Sequence, residues 1–190
     1  MKITLQTLIG ADACISAQKE FVNTFGDDGS VTPKQLFKAI AKLGRKDWLW
    51  WSALHISGFA EAIGNYKSGN FYLAISGEVQ VVGAFVLAFN NSTVEALGNS
   101  TVMAFDNSTV NAFDNSTVRA FEYSTVMAWG NSTVLMDEYS LKVKFVVRSK
   151  FACVVDRRNG VPQSITVANA LPGTNDGEKT PSDRLMSHPT

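Results

Sequence analysis

Two histidines and two cysteines are the scarce chemical groups of this 190-residue chain, and a Ser/His/Asp or Cys/His centre would have to be built from them. His55 stands in the apolar run Trp48–Ile56 and reads as a satisfied core residue, while His188 is third from the C-terminal end. Cys14 and Cys153 fit no metal-ligand spacing and read as free thiols. No phosphate-cradling glycine loop, metal-binding cysteine pair or HExxH run is present. Gly26-Asp27-Asp28-Gly29-Ser30-Val31 has the look of half a calcium loop. If Gly29 takes the turn position, however, Gln35 falls where a bidentate Glu is required. The sequence therefore predicts no catalytic residue, no metal and no cofactor, and a protein that is not an enzyme.

The residues that do recur at fixed spacing are aromatic and acidic. Phe89, Phe105, Phe113, Phe121 and Trp129 hold one slot of a repeat, with Leu97 in the same series. The repeat runs from Gly83 to Ser140 in octads: GAFVLAFN, NSTVEALG, NSTVMAFD, NSTVNAFD, NSTVRAFE, YSTVMAWG, NSTVLMDE. A unit this short cannot bury its own apolar face and must stack on copies of itself. Within the octad that starts at Asn107, Ser108, Val110 and Ala112 share one parity, and Thr109, Asn111 and Phe113 the other. Strands turn successive side chains to opposite faces. The variable slot holds Leu87, Glu95, Met103, Asn111, Arg119, Met127 and Leu135, a tolerance of charge that marks its face as outward. Ser, Val and Ala are then the inward set, and the region reads as a parallel β-solenoid with a thin core.

Two octads per coil fit best. Glu122-Tyr123-Ser124 returns as Glu138-Tyr139-Ser140 after 16 residues, and the corners Gly98-Asn99 and Gly130-Asn131 lie 32 apart. Three octads per coil would instead align Met103 with Met127. An inward set of Ser, Val and Ala suits two closely packed sheets. Asn91, Asn99, Asn107, Asn115 and Asn131 sit at corners beside residues tolerant of positive φ and are placed to bond from coil to coil. The open ends need caps. The repeat decays into Gly77–Val82 on one side and into Leu141–Val147 on the other, where Lys142 and Lys144 suit a charged terminal strand.

By strand parity the aromatic slot points outward. Phe89, Phe105 and Phe121 would form one column, Leu97, Phe113 and Trp129 the other, and an exposed apolar column normally marks an interface. The alternative is a bend after Ala that tucks the rings into the corner. Acids accompany them: Glu78, Glu95, Asp106, Asp114, Glu122, Asp137 and Glu138 against the single base Arg119. The following stretch reverses sign, with Lys142, Lys144, Arg148, Lys150, Arg157 and Arg158 against Asp156. The expected protein-binding residues are Phe89, Phe105, Phe113, Phe121, Trp129, Glu95, Asp106, Asp114 and Glu122. The expected partner is a bacterial protein or a second copy of the chain, without direct nucleic-acid binding, since the net charge is zero. No signal-like apolar segment or membrane span is evident, and five octads carry Asn-Ser-Thr, whose glycosylation would prevent coils from stacking. A cytoplasmic bacterial or phage protein fits these features.

The chain falls into three parts: a helical domain over 1–65, the solenoid over 66–155 and an irregular tail over 156–190, whose patch Ile165-Thr166-Val167 offers one further strand. In the first part, Cys14, Ala17, Phe21 and Phe25 form a helical stripe ended by Gly26. Thr32-Pro33-Lys34-Gln35 reads as a capping box with proline at the first helical position. Asp47 is placed to cap a third, buried helix over Trp48–Ile56, with Trp48, Trp50 and Trp51 in the core. The fold class is α+β.

The octads resemble repeat tracts of bacterial and prophage proteins, and the pattern from Ala13-Cys14 through Phe21 to Asp47-Trp48-Leu49-Trp50-Trp51 resembles a helical module found ahead of such tracts. The layout is similar to that of a type I-C anti-CRISPR protein. That resemblance implies a non-enzymatic inhibitor from a phage or mobile element that binds a CRISPR effector subunit or its nuclease and blocks it sterically. It transfers no motif residue. The competing expectation is a structural scaffold that dimerises through its aromatic columns.

Overall fold

The computed structural model describes residues 1–137, 140, 142–158 and 163–166. The chain divides into one compact unit over Met1–Ile75 and a second that begins at Ser76. Within the first unit, after its helices, β3 (Tyr66–Ser68) pairs antiparallel with β4 (Phe71–Ala74). The Tyr66 ring meets Phe37 edge-on at 5.3 Å, and Asn65 Oδ1 accepts from the Ile75 N–H at 2.7 Å.

The first unit opens with β1 (Ile3–Thr4), paired antiparallel to β2 (Ser30–Val31). Its helices are α1 (Leu5–Gly10), α2 (Ile15–Phe25), α3 (Pro33–Lys42), α4 (Lys46–His55) and α5 (Phe59–Ile63). Helix α3 starts as its residues dictate. Thr32 Oγ1 accepts from the Gln35 N–H at 3.3 Å, Gln35 Oε1 accepts from the Thr32 N–H at 2.8 Å, and Pro33 fills the first position. Leu36, Phe37 and Ile40 form its buried stripe. Helix α2 ends at Gly26, at φ 83°, with Phe21 buried and Cys14 just before the first turn.

Helix α4 departs from expectation in three ways. It begins at Lys46 after Arg45, so Asp47 lies in its first turn and is not the cap. Only Leu49 and Ser52 are fully buried, so the helix is not surrounded by core. His55 is exposed, its ring stacked on Trp51 at 5.1 Å with Nδ1 2.9 Å from the Trp51 carbonyl oxygen. Trp48, Trp50 and Trp51 are half-buried, and the Arg45 guanidinium lies 3.8 Å from the Trp48 ring centre. The physical reason is local: with aromatics on every side of a ten-residue helix, neighbours cover one face and ring and guanidinium stacking serves the rest.

The second unit is the parallel β-solenoid. One sheet places β5 (Glu78–Val82), β7 (Thr93–Leu97), β9 (Thr109–Ala112), β11 (Thr125–Ala128) and β13 (Lys144–Val147) side by side. The other runs through β6 (Phe85–Ala88), β8 (Thr101–Ala104), β10 (Thr117–Ala120), β12 (Thr133–Met136) and β14 (Cys153–Asp156). Thr101, Thr117 and Thr133 are in register, as are Val94 and Val110, so a coil is two octads. After Met136 the coil lengthens: Thr125 aligns with Lys144 and Thr133 with Cys153. Beyond β14, the strand β15 (Gln163–Thr166) adds antiparallel. The expected extra strand thus exists over Gln163–Thr166. The remaining tail residues, His188 among them, lie outside the described residues.

The inward set is as parity requires. Val94, Val102, Val110, Val118, Val126 and Val134 are completely buried, and so are Ala96, Ala104, Ala112 and Ala120. Each such Val contributes about 1.5–3 kcal/mol, so stability is spread over the rungs. The serines are buried at the corners and do not behave alike. Ser116 Oγ lies 2.6 Å from the Phe113 carbonyl oxygen and 2.9 Å from that of Ala96. Ser108 Oγ is buried with no hydrogen-bond partner among the described residues. Replacing Ser116 with Ala should cost about 1 kcal/mol, whereas Ser108→Ala should be neutral or stabilise by about 1 kcal/mol. Paired urea titrations of the two variants check the difference.

Candidate functional site

The aromatic columns form as the coil length dictates, and they are not on the surface. Phe89, Phe105, Phe113 and Phe121 are each between 5% and 7% exposed, and Trp129 is half-buried. The expectation of an outward Phe/Trp face is therefore overturned, and the corner alternative holds. The reason is that the strand ends at Ala. After Ala104, the residues Phe105-Asp106-Asn107-Ser108 form a turn closed by the Ser108 N–H to the Phe105 carbonyl at 3.1 Å. Alternation applies only within a strand, so the ring is carried into the bend. There the rings stack flat: Phe89 on Phe105 and Phe105 on Phe121 at 4.8 Å, Phe113 on Trp129 at 4.7 Å. That separation is the ordinary spacing of neighbouring strands.

The acids of the repeat also have internal work. The residue after each ring turns the chain at positive φ: Asn90 at 54°, Asp106 at 53°, Asp114 at 55°, Glu122 at 53°, with Gly98 and Gly130 at the equivalent places. Asn and Asp tolerate this region, and Glu does so less readily. A carboxylate bond accompanies each acid. Asp106 Oδ2 accepts from the Asn90 N–H, Asp114 Oδ2 from the Gly98 N–H, and Glu122 Oε2 from the Asp106 N–H, all at 2.9 Å. The three acids thus form ladders from coil to coil. Glu95 Oε2 accepts from Gln80 Nε2 at 3.0 Å, and Arg119 bridges Asp137 at 2.6 Å. The expected asparagine bonding is realised between Asn131 Nδ2 and Asn115 Oδ1 at 3.2 Å. Glu138, the remaining acid of the expected strip, lies outside the described residues.

No family model, curated protein or solved structure matches the chain.

The apolar cavity of about 40 Å³ among Phe21, Leu36, Ile40 and Trp51 is far below the size of a small-molecule site. A shallow groove beside Ile15, Lys19 and Val22 brings no general base to a nucleophile. Among the described residues, no three His, Cys, Asp or Glu side chains are grouped to hold a metal ion, and no helix is long and apolar enough to cross a membrane. Cys14 is exposed, and a hydrogen bond from Ser16 holds its thiol below the usual range.

Free charge gathers elsewhere, around β13 and β14. Lys142, Lys144, Arg148, Lys150, Arg157 and Arg158 are all exposed there. Asp156 is taken by Arg158 at 2.5 Å, whose hydrogen bond holds the carboxyl below the usual carboxylate range. Lys142, Lys144, Arg148, Lys150 and Arg157 make no ion pair among the described residues. Exposed apolar groups lie among them: Phe151 at 65%, Tyr123 at 51% and Val146 at 40%. The Lys150 ammonium lies 5.0 Å from the Phe151 ring centre and that of Lys142 5.5 Å from Tyr123. The signal for this site was present in the sequence, as the switch from acid to base after Glu138. The structure shifts emphasis to it by assigning the acids of the repeat to structural bonds.

Proposed function

We propose that this chain is a non-enzymatic binding protein that inhibits by occlusion, an anti-CRISPR-like product of a phage or mobile element that docks on a type I CRISPR effector complex or its nuclease. The observation that carries this reading is the concentration, at the β13–β14 end of the solenoid, of exposed apolar side chains and of cations without an ion pair among the described residues. Backbone bonds tie β13 and β14 to the coil before them, and Asp106, Asp114 and Glu122 add carboxylate bonds between the earlier coils, so the surface stands on a fixed frame and loses little freedom on binding. Unpaired positive charge steers association toward an acidic protein surface and adds specificity. The resemblance of the overall layout to an anti-CRISPR protein supplies the class of partner.

The scaffold reading required two chains to pair through their aromatic columns. Burial of Phe89, Phe105, Phe113 and Phe121 in the corners favours the inhibitor reading over that one. The deciding experiment adds the purified chain to a reconstituted type I-C effector and its nuclease. Co-elution, with loss of target-DNA cleavage that saturates near one chain per complex, is the expected result. Inhibition at trace amounts would instead mean catalysis, and the absence of both co-elution and inhibition would remove the proposal.

A further inference from the structure

The two sheets of the solenoid do not end alike. In one, β14 is covered by the antiparallel strand β15. In the other, β13 is the last strand among the described residues. Burial reports the same asymmetry. Val126 and Ala128, inward residues of β11, are 0% and 1% exposed, whereas Phe145 and Val147, which stand over them in β13, are only half-buried. Among the described residues, the core is thus closed beneath β14, where Val154 is fully buried, and open beyond β13.

The ladder fixes which backbone groups face that opening. The N–H groups of Lys144 and Arg148 bond to the Ser124 and Ala128 carbonyls of the preceding coil. Alternation along a parallel strand then turns the N–H and C=O of Phe145 and Val147 away from β11, toward the open side. Around this edge stand Lys142, Lys144, Arg148 and Lys150, all exposed and without an ion pair among the described residues. Natural edges carry lysine to discourage pairing with another copy of the same edge. The same charges favour an incoming strand of opposite sign.

We infer that the free edge of β13 captures an extended acidic segment of the partner protein by strand addition, with backbone bonds to Phe145 and Val147 supplying the grip and the four cations selecting for acid. Apolar side chains on alternate positions of that segment would cover Phe145 and Val147 and close the core. The mode is a known form of peptide recognition, and here it rests on the binding-protein reading given above.

The test uses the full chain and a labelled peptide that alternates Val with Glu, read by fluorescence anisotropy at low and high salt. The expected result is saturable, salt-weakened binding, absent for the Val/Lys peptide and for a Val/Glu peptide with proline at its centre. Val147→Pro removes an edge donor without removing a ladder bond, a change edge strands tolerate, and should abolish binding while the circular dichroism spectrum stays β-rich. The pair Lys144→Glu and Arg148→Glu should weaken binding by about tenfold or more, the equivalent of two exposed charge contacts. Equal binding of the proline peptide, or undiminished binding by Val147→Pro with its spectrum intact, would overturn strand addition. A single-stranded oligonucleotide that outcompetes the peptide would make this end a nucleic-acid site and sink the proposal. So would a homo-oligomer that Val147→Pro dissociates while the acidic peptide fails to bind. Peptide capture without effector inhibition would leave this inference standing and remove only the anti-CRISPR reading. Inhibition that survives Val147→Pro would remove only this inference.

Discussion

Replacing Phe105 with Ala should destabilise the solenoid by about 3–5 kcal/mol, the usual range for emptying a buried aromatic site. The ring is 5% exposed and lies flat between Phe89 and Phe121, both at 4.8 Å. Truncation therefore leaves a gap in the middle of a column as well as removing the ring's own burial. A large shift of the denaturation midpoint with loss of the β-rich spectrum is expected. A surface residue of a binding face would give the opposite pattern: an unchanged midpoint and lost association. Because neighbouring rings share contacts, Phe105→Ala and Phe121→Ala should not add, and a double-mutant cycle should report coupling. A variant that melts like the parent would mean that the rings do not support the corner at all.

Gly130→Ala is the second large effect. Positive φ alone does not explain the glycine, since Asp106, Asp114 and Glu122 occupy the same turn position at similar angles. What differs is space. A Cβ at Gly130 would stand 2.8 Å from the Asp114 nitrogen and 2.9 Å from its oxygen, both backbone atoms that cannot swing aside. At Gly98 the nearest atom is a Val82 side-chain carbon at 3.5 Å. Gly98→Ala should then cost about 1 kcal/mol from backbone preference. Gly130→Ala should cost about 1–3 kcal/mol beyond that from overpacking. Thermal melts of the two single variants side by side give the comparison. Equal costs would show that the turn, and not the close approach of the coils, sets the requirement.

Much of the architecture was legible in the residues. The octad period required stacking, the Ser/Val/Ala parity named the core, and the return of Glu-Tyr-Ser at 16 residues set the coil. Thr32-Pro33-Lys34-Gln35 announced a helix start that the structure realises bond for bond. These features are local or periodic, so pattern alone carries them.

The site was less legible, for a physical reason. Parity assigns a face only while the chain remains extended, and Phe105 comes one residue after its strand has ended. Whether that ring meets solvent or fills a corner depends on the direction of the bend, which is set by Asp106 at positive φ and by the rings above and below. Likewise, counting acids cannot tell a solvated carboxylate from one bonded to the coil before, as Asp114 is to Gly98. Residue types and their spacing determined by themselves that this chain is a stacked ladder with a helical unit ahead of it. Only the tertiary structure decided which side chains remain free to meet another molecule, because that depends on what each corner and each end of the ladder already covers.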